Sequence, residues 1–200
     1  MALNDSSARR RRDAAPFVII ALFALLLAAA PTVFGYLSAP ADKTFLGFPF
    51  NPGDGNTYLM WMRQAARGQV FLTDQYTTEE QRPEYFNLLW VALGRLAGAL
   101  NLPPIAIYHA AQILFGAAFL LSARAFIRIF LPAGWPQWAA FAAIALAGGF
   151  GWALRAVDSI SGVNLGYGID MWVPEAFGFF SLLTFPHFTA SLTLLLIIYG

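Results

Sequence analysis

Long apolar stretches separated by short polar segments dominate the chain. The first covers 17–37 and follows a polar, arginine-rich tail at 1–16. Because a helix rises 1.5 Å per residue, ~20 apolar residues are enough to cross a ~30 Å hydrocarbon core. Three more such stretches, at 104–126, 138–157 and 176–200, predict about four transmembrane helices. The predicted fold class is therefore all-α, a polytopic transmembrane helical protein.

Three polar segments connect these spans. We predict a large external loop at 38–102, a cytoplasmic turn at 127–137 and a second external loop at 158–175. The first loop contains two predicted interfacial helices, at 54–68 and 83–100. In the first of these, Asp54 or Asn56 can act as N-cap and Gly68 can take the left-handed position after the last turn. In the second, Gly94 and Gly98 have the spacing that lets helices pack closely.

Composition and charge agree with a membrane location. The chain is 58% hydrophobic and 12% charged, whereas soluble domains are about 25% charged. The basic run at 9–12 precedes the first span, which places the N-terminus in the cytoplasm by the positive-inside rule. A cleaved signal peptide is the competing interpretation of 17–37. Cysteine is absent, which excludes disulfides and zinc–thiolate sites. No basic patch suited to nucleic acid is present, so we expect no nucleic-acid partner.

Asp54 is the most prominent acidic residue of the first loop. It follows a Pro-Gly turn and stands at the head of a predicted interfacial helix. Helix capping is the structural interpretation, since Asp is a preferred N-cap. The functional interpretation is a general base or metal ligand at the membrane surface, where partial desolvation makes a carboxylate more basic.

A second polar group lies near the end of the chain. Asp170 and Glu175 enter an apolar segment, where ionisable groups are costly and mark functional positions. His187 follows Pro186 inside the same segment. A hydrogen bond to a backbone carbonyl freed by the proline explains this histidine structurally. A phosphate partner or proton carrier is the functional alternative.

The order of these features resembles the N-terminal part of the C-type (GT-C) polytopic membrane glycosyltransferases. The sequence Gly-Asp-Gly-Asn-Thr-Tyr at 53–58, followed by Gln-Ala-Ala-Arg-Gly at 64–68, is similar to the acidic motif of their first external loop. The stretch 83–108 resembles the second helix of that loop leading into the next span. Trp-Val-Pro-Glu at 172–175 with Pro-His-Phe at 186–188 resembles a segment of some bacterial members.

The resemblance implies transfer of a sugar from a polyprenyl-phosphate donor to a lipid, glycan or protein acceptor. The reaction would be inverting and would take place on the extracytoplasmic face of a bacterial-type plasma (inner) membrane, where the chain also contacts membrane lipid. Asp54 would be the general base on the acceptor hydroxyl. Asp170 or Glu175 would be a second acid that binds acceptor or metal.

The resemblance also implies positive charge at the leaving phosphate. Arg63, Arg67 or His187 could supply it, and Tyr58 belongs to the substrate-binding motif. The first loop has one prominent Asp instead of an adjacent acidic pair, so the sequence leaves open whether a divalent cation is a cofactor. A non-catalytic membrane protein, either a transporter half or an assembly partner, is the alternative function. It would use Asp170, Glu175 and His187, near the end of the chain, as a polar path.

The last apolar stretch ends without a polar or basic flank. From this abrupt ending we expect the sequence to be the N-terminal piece of a longer membrane protein.

Overall fold

Helices form the regular structure of residues 2–164, 166 and 172–200, which are the residues that the computed structural model describes. They are α1 (Ala2–Ser38), α2 (Pro52–Ala66), α3 (Leu88–Leu100), α4 (Pro104–Phe130), α5 (Trp135–Leu146), α6 (Gly151–Ser161), a 3₁₀ helix (Pro174–Ala176), α7 (Gly178–Leu183) and α8 (Pro186–Tyr199). Across these residues the β-type pairing is limited to one antiparallel bridge, between Leu72 and Tyr85. The all-α prediction is confirmed.

Among the residues that the structure describes, two helices are long and apolar enough to cross a membrane. They are Ala14–Ser38, with 25 residues, and Pro104–Phe130, with 27 residues. At 1.5 Å per residue each exceeds the ~30 Å hydrocarbon core. They correspond to the predicted spans 17–37 and 104–126.

The predicted span 138–157 is not one helix. It is divided between α5 and α6, and the intervening residues include Gly149 at φ 73°. At Ala147 the backbone becomes extended (φ −66°, ψ 118°). The Ala147 carbonyl accepts a hydrogen bond of 3.1 Å from the Phe179 N–H, so it has a partner outside its own helix. The glycine-rich segment that follows Ala147 therefore interrupts the predicted span.

The predicted span 176–200 is also interrupted. α7 ends at Leu183, and α8 begins at Pro186. Proline lacks an N–H and disfavours helical geometry in the residue before it. Phe185 is accordingly extended, at φ −126° and ψ 139°.

The chain divides into two compact units. One, here called the discontinuous unit, combines Met1–Ala30 with Leu114–Gly200, and the other, the continuous unit, is Pro31–Ile113. The discontinuous unit has a buried apolar core with side chains from α1, α4, α5 and α7: Phe17, Ala24, Ala28, Phe119, Leu120, Ala123, Ile127, Phe141, Ala145 and Leu182. In this core Phe17 and Phe141 meet edge to face with centroids 5.3 Å apart.

In the continuous unit, α2 and α3 pack closely because α3 presents glycines to α2. A Cβ atom on Gly94 would lie 2.5 Å from the Met62 carbonyl oxygen, and one on Gly98 would lie 2.7 Å from the Ala66 carbonyl oxygen. The two backbones therefore meet without intervening side chains. This is the close packing that the spacing of Gly94 and Gly98 predicted.

The ends of these helices differ in part from the prediction. The N-cap of α2 is Asn51, so the prediction of Asp54 or Asn56 as its cap is wrong. Gly68 follows the last turn with φ 103°, as predicted. α3 starts at Leu88 with Asn87 as its N-cap, and not at 83, because Tyr85 pairs with Leu72 and keeps the preceding segment extended.

Candidate functional site

Asp54 lies in the first turn of α2 and is held by Asn51. The Asn51 backbone is left-handed (φ 42°, ψ 64°), a conformation that asparagine tolerates better than most residues. Its side-chain oxygen accepts from the Asp54 N–H at 3.4 Å, and its amide nitrogen donates to Asp54 Oδ2 at 2.6 Å. The capping role therefore falls to Asn51. The Asp54 carboxylate is exposed and oriented through one of its two oxygens.

Three stacked aromatic rings, one each from α2, α3 and α4, connect these helices. The Tyr58 ring stacks on Trp90 with centroids 4.3 Å apart and planes inclined by 11°. The Trp90 ring is nearly parallel to Tyr108, at 6.1 Å and 6°. Trp90 and Tyr108 are almost fully buried. Tyr58, one turn beyond Asp54, is thus fixed by packing.

The phenol of Tyr58 is electrostatically coupled to its neighbours. Burial, with smaller contributions from the charge of Asp54 and from Tyr85, raises the pKa of Tyr58 to about 12. Tyr58 is therefore a protonated hydroxyl at neutral pH. It can donate a hydrogen bond but does not act as a base.

An open cleft of about 420 Å³ lies beside the same face of α2. Thr57 and Trp61 line it on the side of α2, and residues between 72 and 85 line it on the other side. Asp54, Thr57 and Trp61 are spaced by three and four residues, so they share one helix face. Asp54 therefore stands on the helix face that continues into the cleft.

Gln64 holds the far wall of the cleft against α2. This side chain is 3% exposed. Its amide nitrogen donates to the Thr73 carbonyl and its oxygen accepts from the Thr73 N–H, both at 2.9 Å. The Leu72–Tyr85 bridge, with N···O distances of 2.7 and 3.3 Å, closes the segment between them. One end of the wall is thus tied to α2, and the other end is paired with the first.

The two arginines predicted for phosphate binding are not gathered at Asp54. Arg63 and Arg67 are exposed, and at 1.5 Å per residue they lie roughly 14 and 20 Å further along the α2 axis. Arg82 instead faces the cleft. Its charged neighbours Glu79, Glu80 and Glu84 are exposed as well, and Glu84 also lines the cleft.

The second predicted group belongs to the discontinuous unit. Glu175 is exposed in the 3₁₀ helix. His187 lies in the first turn of α8, with its ring parallel to Phe185 at 5.7 Å and 4.2 Å from the Phe188 ring. Asp170 lies outside the described residues, so its role stays a prediction.

The residues available around Asp54 do not form a metal-ligand set. Within residues 2–164, 166 and 172–200, no group of three or more histidine or acidic side chains converges. The polar neighbour of Asp54 is Asn51, whose amide nitrogen already donates a hydrogen bond to Asp54 Oδ2. We therefore assign no step to a divalent cation here.

Sequence reasoning missed the residues that shape the site. Gln64 and Arg82 owe their roles to the segment 72–85 folding back on α2, whereas Asn51 caps α2 through a local left-handed backbone. A polar Gln64 between buried positions of a short apolar helix was the one local signal.

No protein-family model matches the chain, and no curated protein and no solved structure shows significant similarity to it.

Proposed function

We propose that the chain is an integral protein of a bacterial-type plasma (inner) membrane, with its N-terminus in the cytoplasm and about four spans. Two long helices, Ala14–Ser38 and Pro104–Phe130, support the membrane location because most of their apolar residues are not buried. In their most apolar windows only 17% and 28% of residues are buried, whereas a core helix of a soluble protein is mostly buried. Val18, Phe23 and Leu26 of α1 are 49–70% exposed. Such surfaces are stable against lipid but costly in water.

The function we infer for it is that of a membrane glycosyltransferase, or the N-terminal part of one, with Asp54 as general base. The single observation that carries this proposal is the placement of the Asp54 carboxylate. It is exposed, oriented by Asn51, and located on the helix face that borders a polar and aromatic cleft. The resemblance of 53–58 to the acidic motif of C-type glycosyltransferases supports the same role.

The chemistry asked of Asp54 is one proton transfer. An acceptor hydroxyl attacks the anomeric carbon of the donor sugar, the bond from that carbon to the phosphate oxygen breaks, and the hydroxyl proton passes to the carboxylate. Oδ2 already accepts from Asn51, and Oδ1 has no partner among the described side chains. Oδ1 is therefore the oxygen that can take the proton, and the hydrogen bond from Asn51 keeps it aimed. The leaving phosphate takes both bond electrons, and the configuration inverts.

The test is sugar transfer in membranes that contain the full chain. Radiolabelled hexoses and pentoses on polyprenyl phosphate serve as donors, with total membrane glycans, lipids and proteins as acceptors. We expect Asp54→Asn to lower transfer by roughly 10²–10⁴-fold, the usual contribution of a general base. The matched control is Asp42→Asn, an exposed acid of the same unit, which should retain activity.

Unchanged transfer by Asp54→Asn would overturn the proposed role of Asp54. If membranes containing the wild-type chain show no transfer above those without it, the non-catalytic alternative becomes the better account. That alternative assigns Glu175 and His187 to a polar path or to an assembly contact.

A further inference from the structure

The cleft beside α2 combines features of a ligand site. Its volume of about 420 Å³ falls within the range of roughly 300–1,000 Å³ that is typical of small-molecule sites. Trp61 of α2 and Tyr85 of the opposite wall both line it, and their rings are 4.5 Å apart with an inclination of 32°. Tyr85 is 43% exposed and Tyr76, also in the lining, is 66% exposed. Aromatic surface is therefore open to the cleft.

Polar side chains surround these rings. Gln81, Arg82 and Glu84 line the same cleft. Gln81 accepts from the Asp74 N–H through its side-chain oxygen at 2.9 Å, which fixes the amide and leaves its NH₂ group to donate. Among the described residues neither Arg82 nor Glu84 has an ion-pair partner. A ligand here thus meets a fixed amide, a guanidinium and a carboxylate at the edge of an aromatic surface.

This arrangement matches the two faces of a sugar. A pyranose ring has a patch of C–H bonds that packs on an aromatic face, and a rim of hydroxyls that both donate and accept. Glu84 accepts, Arg82 donates, and Gln81 donates. Planar side chains of this kind can bind neighbouring hydroxyls in pairs.

The charge of the cleft argues against a phosphate as its occupant. Its lining contains one cation, Arg82, against the two carboxylates Asp74 and Glu84. A polyanion would be repelled by that balance. A neutral polyhydroxylated ligand carries no such penalty.

We propose that this cleft is a saccharide-binding subsite. Its assignment to the acceptor rests on the proposed function, because the helix face that bears Trp61 leads directly to Asp54. The cleft is also preformed: Gln64 anchors Thr73, and the Leu72–Tyr85 bridge closes the wall. Preformed walls lower the ordering cost of binding.

The experiment measures binding without transfer. The full chain in lipid nanodiscs, free of sugar-based detergent, is probed by saturation-transfer-difference NMR. The probes are the neutral disaccharides maltose, cellobiose, lactose and N,N′-diacetylchitobiose, with inorganic phosphate titrated as competitor. We expect saturation transfer to at least one disaccharide, strongest at its ring protons, and no displacement by phosphate.

Three substitutions locate the site. Arg82→Gln removes a charge-assisted hydrogen bond from an exposed side chain and should weaken binding by about tenfold. Trp61→Leu should abolish saturation transfer, and Trp61→Phe, which keeps an aromatic face, should retain part of it. The controls are Lys43→Gln, an exposed cation outside the cleft, and Trp135→Leu, a 72% exposed tryptophan of the discontinuous unit. Both should bind as the wild type.

The outcomes separate this inference from the proposed function. Absence of saturation transfer to all four probes overturns the subsite, and so does binding that Arg82→Gln and Trp61→Leu leave unchanged, or displacement by phosphate. If the wild-type chain binds a disaccharide as expected but Asp54→Asn transfers sugar as well as the wild type does, the subsite stands and the proposed function fails.

Discussion

Gly94 of α3 lies against Met62 of α2 so closely that a Cβ atom on Gly94 would stand 2.5 Å from the Met62 carbonyl oxygen and 2.6 Å from the Ala65 Cβ. Backbone atoms cannot move out of the way as the end of a flexible side chain can. The position of α2, and with it the position of Asp54, is therefore set by what stands at position 94.

We expect Gly94→Ala to push α2 and α3 apart and to lower the free energy of unfolding by about 1–3 kcal/mol, the usual cost of overpacking. Denaturant titration in detergent micelles, followed by tryptophan emission, measures this change. The matched control is Gly53→Ala. Its new methyl group would meet nothing nearer than Asn51 Oδ1 at 3.7 Å, so its effect should stay within about 0.5 kcal/mol. Equal effects of the two substitutions would refute the close contact.

The left-handed backbone of Asn51 leads to a second prediction. Asn51→Ala loses the N-cap, worth about 1 kcal/mol, and forces alanine into a left-handed conformation, which costs at least about 1 kcal/mol more. Asn51→Gly loses the side chain but tolerates the backbone, and glycine caps are only a few tenths of a kcal/mol weaker. The alanine variant should therefore unfold at lower denaturant concentration than the glycine variant. The reverse order would contradict the capping geometry.

The coupling between Asp54 and Tyr58 can be measured directly. Removing the Asp54 charge should lower the pKa of Tyr58 from about 12, while burial, the larger cause, keeps it above 10.0. NMR of ζ-¹³C-labelled tyrosine follows the titration, with Tyr58→Phe to assign the resonance. Asp42→Asn should leave it unchanged. A pKa of Tyr58 that does not move in Asp54→Asn would show that the two side chains are not neighbours.

The same group makes stability depend on pH. Because the folded-state pKa of Tyr58 lies above its ordinary value, the folded state binds this proton more tightly than the unfolded chain does. Its contribution is complete below about pH 10 and is lost as the pH rises through about 12. Tyr58→Phe should remove that part of the alkaline loss of stability.

Membrane orientation is testable because the chain has no cysteine of its own. In intact bacterial cells, a membrane-impermeant maleimide should label Asp42→Cys, in the first loop. It should label Ala133→Cys, in the turn after α4, only after the cells are permeabilised, as the positive-inside rule requires. Labelling of Ala133→Cys alone in intact cells would reverse the proposed topology.

The helices that could be predicted are those whose signals are local. α2 was predicted within two residues at each end, because the Pro-Gly pair at 52–53 marks its start and Gly68 follows its end. Its capping residue was missed because Asn51 uses a left-handed backbone that a pattern search does not reveal. The start of α3 was predicted too early, since the pairing of Tyr85 with Leu72 is a contact between residues distant in sequence.

The interrupted helices show the same limit. Apolar composition over 138–157 favours a continuous span, and this segment contains no proline. The break depends on Ala147, whose carbonyl is bound by the Phe179 N–H, and on Gly149 with positive φ. The second break was easier to foresee, because Pro186 marks it in the sequence.

The candidate site divides in a similar way. Asp54 and Tyr58 could be selected from one short motif. Arg82 could not be distinguished from its charged neighbours, because its distinction is a position across a cleft from Trp61. Periodicity describes one face of one helix, whereas a cleft has two walls.

The parallel rings of Tyr58, Trp90 and Tyr108 have an optical consequence. Trp90 is 2% exposed, so its emission should be blue-shifted and protected from aqueous quenchers. Its centroid is 4.3 Å from that of Tyr58, well within the range of energy transfer from tyrosine to tryptophan. Any displacement of α2 from α3 would therefore shift the emission to the red and admit quencher. Trp90 of α3 is thus a fluorescent reporter of whether α2, the helix that presents Asp54, is docked.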